Sequence, residues 1–283
     1  VTTEVGIDWY FLPLYPLADL WPGGVIWALL GGFTLLVLVM PWLPPLKRPR
    51  AAVVDLDHCN GCARCLDDCP YEAIRLVPRS DGLPFPNEVV VDPSLCVGCG
   101  ICMGACPSST PFRRSGDLVT GIDLPDLPLR ELREKTIAAA ATLQGPARIL
   151  VVACDQGAAA GRAETTVFLP CVAMAPPSLI DYILSRDLAD GVVIAGCAER
   201  ACYNRLGVEW TKARVARERD PYLRRRVPRE RLAMIWADRS ERRRFEAELA
   251  AFADEVAKFP EAGPRMVPAT PSLRNDKRVK ESV

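Results

Sequence analysis

A run of four cysteines closed by a proline occurs twice in this chain, and it limits the possible folds more than any other feature. The first run has the spacing C-x2-C-x2-C-x3-C before Pro70, and the second repeats that spacing before Pro107. Thiolates three residues apart can all contact one small bound group if the backbone turns tightly around it. Gly61 and Gly98 permit such a turn, because glycine reaches backbone angles that other residues avoid. The eight cysteines are Cys59, Cys62, Cys65, Cys69, Cys96, Cys99, Cys102 and Cys106.

This spacing is typical of thiolates that hold iron–sulfur clusters. The alternatives are a disulfide framework or zinc, although zinc sites usually use separated C-x2-C pairs or mixtures of Cys and His. Residues 51–113 resemble the two-[4Fe–4S] bacterial-type ferredoxin family, which implies a small α+β domain. In that family the fourth cysteine of each run ligates the other cluster. The resemblance therefore assigns one cluster to Cys59, Cys62, Cys65 and Cys106, and a second to Cys96, Cys99, Cys102 and Cys69.

The segment between the two runs predicts a β-hairpin, because two β-rich stretches flank a loop from Pro78 to Pro86. The only histidine of the chain, His58, directly precedes Cys59. It could act as a ligand or proton carrier, but the favoured interpretation is that it only lines the cluster loop.

Composition narrows the function classes. The formal net charge of the 283 residues is zero, so no overall field favours nucleic acid. Twelve cysteines without a secretory context indicate metal binding or catalysis rather than disulfides. The chain has no phosphate-binding glycine motif, and one histidine argues against hydrolytic constellations. We therefore expect an electron-transfer subunit of a larger oxidoreductase complex rather than a self-sufficient enzyme.

Residues 21–43 predict a transmembrane helix. No charged residue lies between Leu20 and Leu46, and Trp21 and Trp42 bracket the apolar stretch. At about 1.5 Å per residue the two indoles lie about 30 Å apart, which is the thickness of a bilayer core. A buried helix of a soluble protein and a cleaved signal peptide are the alternatives, and the second fits less well because no basic region precedes the helix.

The flanking charges predict the orientation of this helix. Acidic residues precede it and basic residues follow it, so we expect the N-terminus outside and the iron–sulfur domains in the cytoplasm. The acidic residues are Glu4, Asp8 and Asp19, and the basic ones are Lys47, Arg48 and Arg50.

The stretch from Ile7 to Tyr15, with the helix that follows, resembles the C-terminal part of cytochrome b around its Pro-Glu-Trp-Tyr motif. The resemblance implies an outer-side quinol-loop-like segment over residues 1–20, in which Asp8 replaces the family's proton-accepting Glu. One histidine cannot supply the paired haem ligands of that family, so the resemblance implies a separate haem-bearing cytochrome b-like subunit and a shared quinone. The alternative is a plain membrane anchor with an amphipathic lead-in.

The C-terminal half predicts a parallel-sheet α/β domain. A linker over residues 114–147 contains a predicted helix from Leu129 to Leu143. Over residues 148–258, short apolar strands alternate with helices predicted at 177–189 and 240–258, a rhythm typical of a parallel sheet covered by helices. Three strands end at Cys154, Cys171 and Cys197.

Ligands of such sheets bind at the carboxyl ends of the strands, so these three thiols and Cys202 should meet at one edge. A [2Fe–2S] cluster, a zinc ion and a redox dithiol with two bystanders all remain open from the spacing. The element Gly196-Cys197-x4-Cys202 resembles the delta subunit of methyl-viologen-reducing hydrogenase, with Tyr203 where that family often has His. The resemblance implies a [2Fe–2S] cluster on Cys154, Cys171, Cys197 and Cys202.

The basic run 212–231 predicts a solvated face. A more specific alternative is a docking surface for an acidic partner or anionic lipid. Residues 259–283 predict an extended tail, because they carry few apolar residues. The partners expected are the cytochrome b-like subunit, a soluble redox enzyme or electron carrier of the hydrogenase or heterodisulfide reductase type, and membrane lipid. A second hypothesis makes the chain a membrane-tethering adaptor without quinone chemistry, and a third makes its C-terminal domain a zinc-stabilised scaffold.

Overall fold

The structure, a computed structural model, describes residues 15–43, 49–109, 118–159 and 165–259. The chain divides into two compact units, Val1–Arg48 and Pro49–Val283. Several predictions lie outside the described residues: the role of Asp8 and the segment before residue 15, the charges of Lys47 and Arg48, and the tail from residue 260.

The first unit contains two helices, α1 (Tyr15–Leu20) and α2 (Gly23–Val39), and α2 continues as a 3₁₀ turn over Met40–Trp42. The apolar helix predicted from the sequence is therefore confirmed, and it begins just after Pro22, whose fixed backbone angle suits a helix start. The span Gly23–Trp42 has 20 residues, and none of its side chains is buried within this unit. Its length and composition fit a single-pass membrane anchor or a signal sequence.

The second unit begins with a part built from short elements. Strands β2 and β3 pair antiparallel with Ile74 opposite Val91, which confirms the predicted hairpin. Strands β1 and β4 pair with Val53 opposite Asp123, so a strand from the stretch assigned to the linker completes this part. The elements are β1 (Val53–Val54), α3 (Arg64–Asp68), β2 (Ile74–Pro78), β3 (Asn87–Val91), α4 (Ile101–Ala105) and β4 (Ile122–Asp123).

The rest of the second unit is a four-stranded sheet with helices. Its strand order is β6-β5-β7-β8 and every pairing is parallel, which confirms the predicted architecture. The elements are α5 (Leu129–Ala141), β5 (Ile149–Cys154), β6 (Thr166–Leu169), α6 (Pro177–Ser185), β7 (Gly191–Gly196), α7 (Gly207–Ala216), β8 (Leu232–Trp236) and α8 (Arg242–Val256).

Both faces of this sheet are buried, and alternate residues of each strand go to opposite sides. On one face Val151 and Val193 pack with Phe245 of α8. On the other face Val152 belongs to a larger apolar cluster that also holds Met103 of α4. The part that carries the cysteine runs therefore helps to cover the sheet, and the two parts share one hydrophobic core.

Two helix boundaries differ from the predicted ones for local reasons. Helix α6 ends at Ser185 rather than near residue 189, because Asp187 adopts a left-handed conformation and the N–H of Leu188 bonds the carbonyl of Ile183. Helix α8 begins after a 3₁₀ turn in which Asp238 and Glu241 form a capping box.

The basic run is not simply a solvated face, because several of its arginines bind groups of the same chain. Arg214 on α7 is buried and Arg219 is largely so, and both bind Asp68. Arg226 binds the buried carboxylate of Asp181 and Arg217 donates to the carbonyl of Leu223. The expectation of a solvated face is therefore wrong for Arg214, whereas the side chain of Arg226 remains 47% exposed. Helix α7 itself was not predicted.

Candidate iron–sulfur centres

The first site is a small cavity at the start of the cysteine-rich part. The first run supplies three thiols through the loop before α3 and through α3 itself, and the second run supplies one from the residue after α4. His58 also lines this cavity, with Nδ1 3.2 Å from a carboxylate oxygen of Asp55. The four thiols are Cys59, Cys62, Cys65 and Cys106.

The second site is a small cavity built in the same way from the second run. Three thiols come from the loop before α4 and from α4, and the fourth comes from the end of α3. Each cavity therefore takes its last thiol from the other run, and the eight thiols fall into the two groups that the ferredoxin resemblance assigns. The thiols of the second cavity are Cys69, Cys96, Cys99 and Cys102.

The loop of the first cavity depends on a left-handed glycine and a buried arginine. Gly61 has φ +65°, and a Cβ there would overlap the carbonyl oxygen of Asn87. Arg79 donates to the carbonyl oxygens of Cys59 and Leu56, each at 2.5 Å, and its side chain is 3% exposed. The glycine in the cysteine run could be recognised from the sequence as a residue that lets the loop turn. No feature of the sequence around Arg79 predicts that its side chain binds the carbonyl groups of this loop.

Ionisation of these buried thiols is unfavourable unless a positive charge lies beside them. Burial raises the pKa of Cys65 to about 12, and the neighbouring Cys106 and Cys62 add to the rise. Burial likewise raises the pKa of Cys99 to about 11 and that of Cys102 well above its usual range. Four ionised sulfurs in one buried cavity need a positive counter-charge, so this donor set fits a cationic iron core.

The third site lies at the carboxyl edge of the parallel sheet. Cys154 ends β5, Cys171 is the second residue after β6, and Cys197 directly follows β7. The sulfurs of Cys154 and Cys197 lie 3.7 Å apart. A Cβ at Gly207 would overlap the sulfur of Cys171 and would lie 3.5 Å from that of Cys202. The structure therefore brings the four predicted thiols together.

The thiols of this third site also perturb one another. A hydrogen bond with the thiol of Cys197, with burial second, raises the pKa of Cys202. Burial above all raises the pKa of Cys171, and the charge of Cys99 in the second cavity contributes. All twelve cysteines are free thiols.

The second and third sites are adjacent. Cys99 packs against a buried cluster that contains Cys171, and a Cβ at Gly100 would lie 2.7 Å from the sulfur of Met174. Tyr71 lies near both thiols, and burial together with the charges of Cys99 and Cys171 raises its pKa to about 12. Its hydroxyl donates to Asn204, which in turn donates to the carbonyl of Pro170.

Two segments of the chain match known families. Residues 58–110 match the 4Fe-4S dicluster domain, and residues 162–259 match the methyl-viologen-reducing hydrogenase, delta subunit. The chain thus combines a dicluster ferredoxin domain with a hydrogenase delta subunit-like domain. No curated protein matches the chain. The second match contains Cys171, Cys197 and Cys202, while Cys154 precedes it.

The two matched domains indicate an iron–sulfur electron-transfer subunit of a hydrogenase or reductase-type complex. The sequence resemblances identified both kinds of domain. They gave no sign of the buried contacts between them, because the residues involved are far apart along the chain.

Proposed function

We propose that this chain is a membrane-anchored subunit with two [4Fe–4S] clusters and one [2Fe–2S] cluster that links a quinone-reactive membrane module to a soluble redox enzyme. The observation that carries the proposal is the adjacency of the second and third sites through Cys99 and Cys171. Adjacent one-electron centres suit a conduit rather than independent catalytic sites.

The residues divide into three ligand sets. The first cavity would hold a cubane on Cys59, Cys62, Cys65 and Cys106, and the second on Cys69, Cys96, Cys99 and Cys102. The four thiols at the sheet edge, Cys154, Cys171, Cys197 and Cys202, would hold the [2Fe–2S] cluster. Bound clusters supply reversible one-electron transfer, and the chain's own residues fix where each cluster sits and how far water reaches it.

The soluble end of the conduit is the delta subunit-like domain. Support for this comes from its family match and from the exposure of Tyr203, which is 69% exposed and directly follows Cys202. A hydrogenase or heterodisulfide reductase-type enzyme is the proposed partner at this end.

The membrane end rests on the resemblance of residues 7–43 to part of cytochrome b. Asp8 is proposed to accept a quinol proton beside a haem-bearing partner subunit, with the domains after Pro49 in the cytoplasm. The apolar helix Gly23–Trp42 supports the membrane attachment by its length and composition.

Purification of the intact complex through a tag on this chain tests the proposal. A haem-bearing subunit and a hydrogenase or reductase subunit should co-purify, and a quinone analogue should reoxidise the reduced complex. Isolation of the chain with neither partner, under conditions that keep all its iron, would overturn the proposal.

The tethering-adaptor hypothesis makes a different prediction for Asp8→Asn. If Asp8 accepts a quinol proton, this variant lowers quinol-linked turnover at unchanged iron content. If turnover is unchanged, the quinol role of Asp8 fails and the adaptor hypothesis stands.

A further inference from the structure

A buried ion pair joins the ferredoxin domain to the delta subunit-like domain. The side chains of Arg214 on α7 and Asp68 at the end of α3 are 2% and 4% exposed, and one guanidinium nitrogen of Arg214 binds the carboxylate of Asp68. The other terminal nitrogen donates to the carbonyl oxygen of Ala173 at 2.7 Å. Arg214 therefore touches both domains with one rigid, planar group.

Both partners of Arg214 are close in sequence to proposed cluster ligands. Asp68 directly precedes Cys69 of the second cavity, and Ala173 lies two residues after Cys171 of the third site. The carbonyl oxygen of Ile101, between two further thiols of the second cavity, lies 3.5 Å from the guanidinium. Arg214 thus bridges backbone and side-chain groups that adjoin the second and third sites.

The backbone around the ion pair leaves no free space. A Cβ at Gly104 on α4 would overlap the carbonyl oxygen of Ala173 and would lie 2.8 Å from Arg214. Arg219 binds the second oxygen of Asp68, with Nε at 2.6 Å, and its guanidinium stacks 3.5 Å from the ring centroid of Trp210. The carboxylate of Asp68 is therefore held by two arginines from the other domain.

Further hydrogen bonds cross the same boundary at its edges. Arg205 donates to the carbonyl of Pro70 at 2.8 Å, and the buried Ser178 donates to the carbonyl of Ser109 at 2.9 Å. Together with the shared apolar core, these bonds describe a permanent interface rather than a transient docking contact.

A buried ion pair is a weak source of stability, because desolvation of the charges offsets their attraction. Moreover, Nε of Arg214 is buried without a hydrogen-bond partner. The ion pair therefore points to a role in geometry and in the local field rather than in stability.

We propose that Arg214 is a positioning residue that fixes the separation between the second cavity and the delta subunit-like thiol site, and so sets electron exchange between them. The inference rests on the proposed cluster content of both sites. When an electron passes between the two sites, one centre is oxidised and the other is reduced. The fixed separation allows transfer in either direction. The guanidinium also favours the more negative, reduced form of nearby centres.

Two substitutions separate the roles of geometry and charge. Arg214→Lys keeps the positive charge but cannot bridge Asp68 and Ala173 with a planar fork, whereas Arg214→Met removes the charge as well. Arg226→Met is the matched control, because Arg226 also binds a buried carboxylate, that of Asp181, but lies within one domain. If Arg214→Met does not fold, the double variant Asp68→Asn with Arg214→Met also removes the buried negative charge, which Arg219 alone would then have to neutralise.

The measurement is spin–spin coupling between reduced clusters in the full chain by electron paramagnetic resonance, with iron content and reduction potentials recorded alongside. Both Arg214 variants should lose the coupling between the second and third sites at full iron content. The potential of the second site should become more negative in Arg214→Met and stay unchanged in Arg214→Lys, while Arg226→Met matches the wild type in every readout.

Wild-type coupling and potentials in both Arg214 variants would overturn the proposal. Loss of iron from the Arg214 variants would also overturn it, because Arg214 would then build a site rather than fix a separation. Absence of a [2Fe–2S] signal from the wild type is a distinct result, because it contradicts the proposed function before any variant is compared.

Discussion

The two ferredoxin cavities and the thiol site at the sheet edge collect their cysteines in different ways. Each cavity draws three thiols from a loop of seven residues, for example Cys59 to Cys65, and one from the neighbouring run. The sheet-edge site instead draws thiols from the ends of three strands, and Cys154 and Cys197 are 43 residues apart although their sulfurs are 3.7 Å apart.

The difference shows that loop conformation builds one kind of site and strand register builds the other. The ferredoxin cavities depend on backbone angles such as that of Gly61 and on contacts within the loops. The sheet-edge site depends on β5, β6 and β7 ending side by side, which the parallel register of the sheet provides. Substitutions should therefore damage the two kinds of site to different extents.

Loss of single thiols should give the largest contrast. Cys102 belongs to a cavity that short loops and helices build around its thiols, so Cys102→Ser should remove the second [4Fe–4S] cluster and destabilise the chain. Cys197→Ser should remove only the [2Fe–2S] cluster, because the sheet forms without it. Iron analysis should then give about eight atoms per chain for Cys197→Ser.

The melting temperature of the two variants checks this contrast. We expect a clearly lower value for Cys102→Ser than for Cys197→Ser. Equal melting temperatures, or loss of all iron in Cys197→Ser, would mean that the sites are not independent in the way described.

Substitution of two glycines tests how much the first cavity depends on loop geometry. Gly61 and Gly82 have similar positive φ angles of +65° and +78°, but only a Cβ at Gly61 meets another atom within 4 Å. Gly82→Ala should cost about 1 kcal/mol, the usual penalty for a side chain in the left-handed region. Gly61→Ala should cost about 3 kcal/mol because it adds overlap with the carbonyl of Asn87.

Denaturant unfolding of the cluster-loaded chain measures both costs. The iron content of Gly61→Ala should also fall at the first cavity, whereas Gly82→Ala keeps it. Equal effects of the two substitutions would show that the close approach at Gly61 has no role.

The smallest expected effect depends on pH and belongs to the ferredoxin domain. Burial raises the pKa of Asp123 on β4 from 3.8 to about 6, although N–H groups of Leu124 and Leu129 donate to it. The folded state therefore binds a proton more tightly than the unfolded state. This contribution to stability is present below about pH 4 and is lost as the pH rises through about 6.

Asp123→Asn retains a hydrogen-bond acceptor without the charge. We expect it to gain about 1 kcal/mol of stability relative to the wild type between pH 5 and pH 8, which unfolding curves at the two pH values measure. A stability difference that stays constant with pH would contradict the shifted pKa.

Much of this fold was predictable from the sequence because its signals are local. The cysteine spacing carried the resemblance that implied the grouping of eight thiols, and apolar runs ending at Cys154, Cys171 and Cys197 predicted the parallel sheet. The pairing of β1 with β4 was not predictable, since each strand has two residues and no pattern.

The ion pair of Arg214 with Asp68 could not be predicted from the sequence for another reason. The two residues are 146 positions apart, and Arg214 lies in a basic run whose composition indicates solvent exposure. Tertiary packing overrides composition here, because helix α7 turns this one arginine towards the second cavity.

Quantitative metal analysis with electron paramagnetic resonance of the intact, anaerobically purified chain tests the central claim most directly. Two [4Fe–4S] clusters and one [2Fe–2S] cluster predict about ten iron atoms per chain, no zinc, and signals from both cluster types that couple on reduction. About eight iron atoms with one zinc, or a [2Fe–2S] signal without coupling to the other centres, would contradict the account.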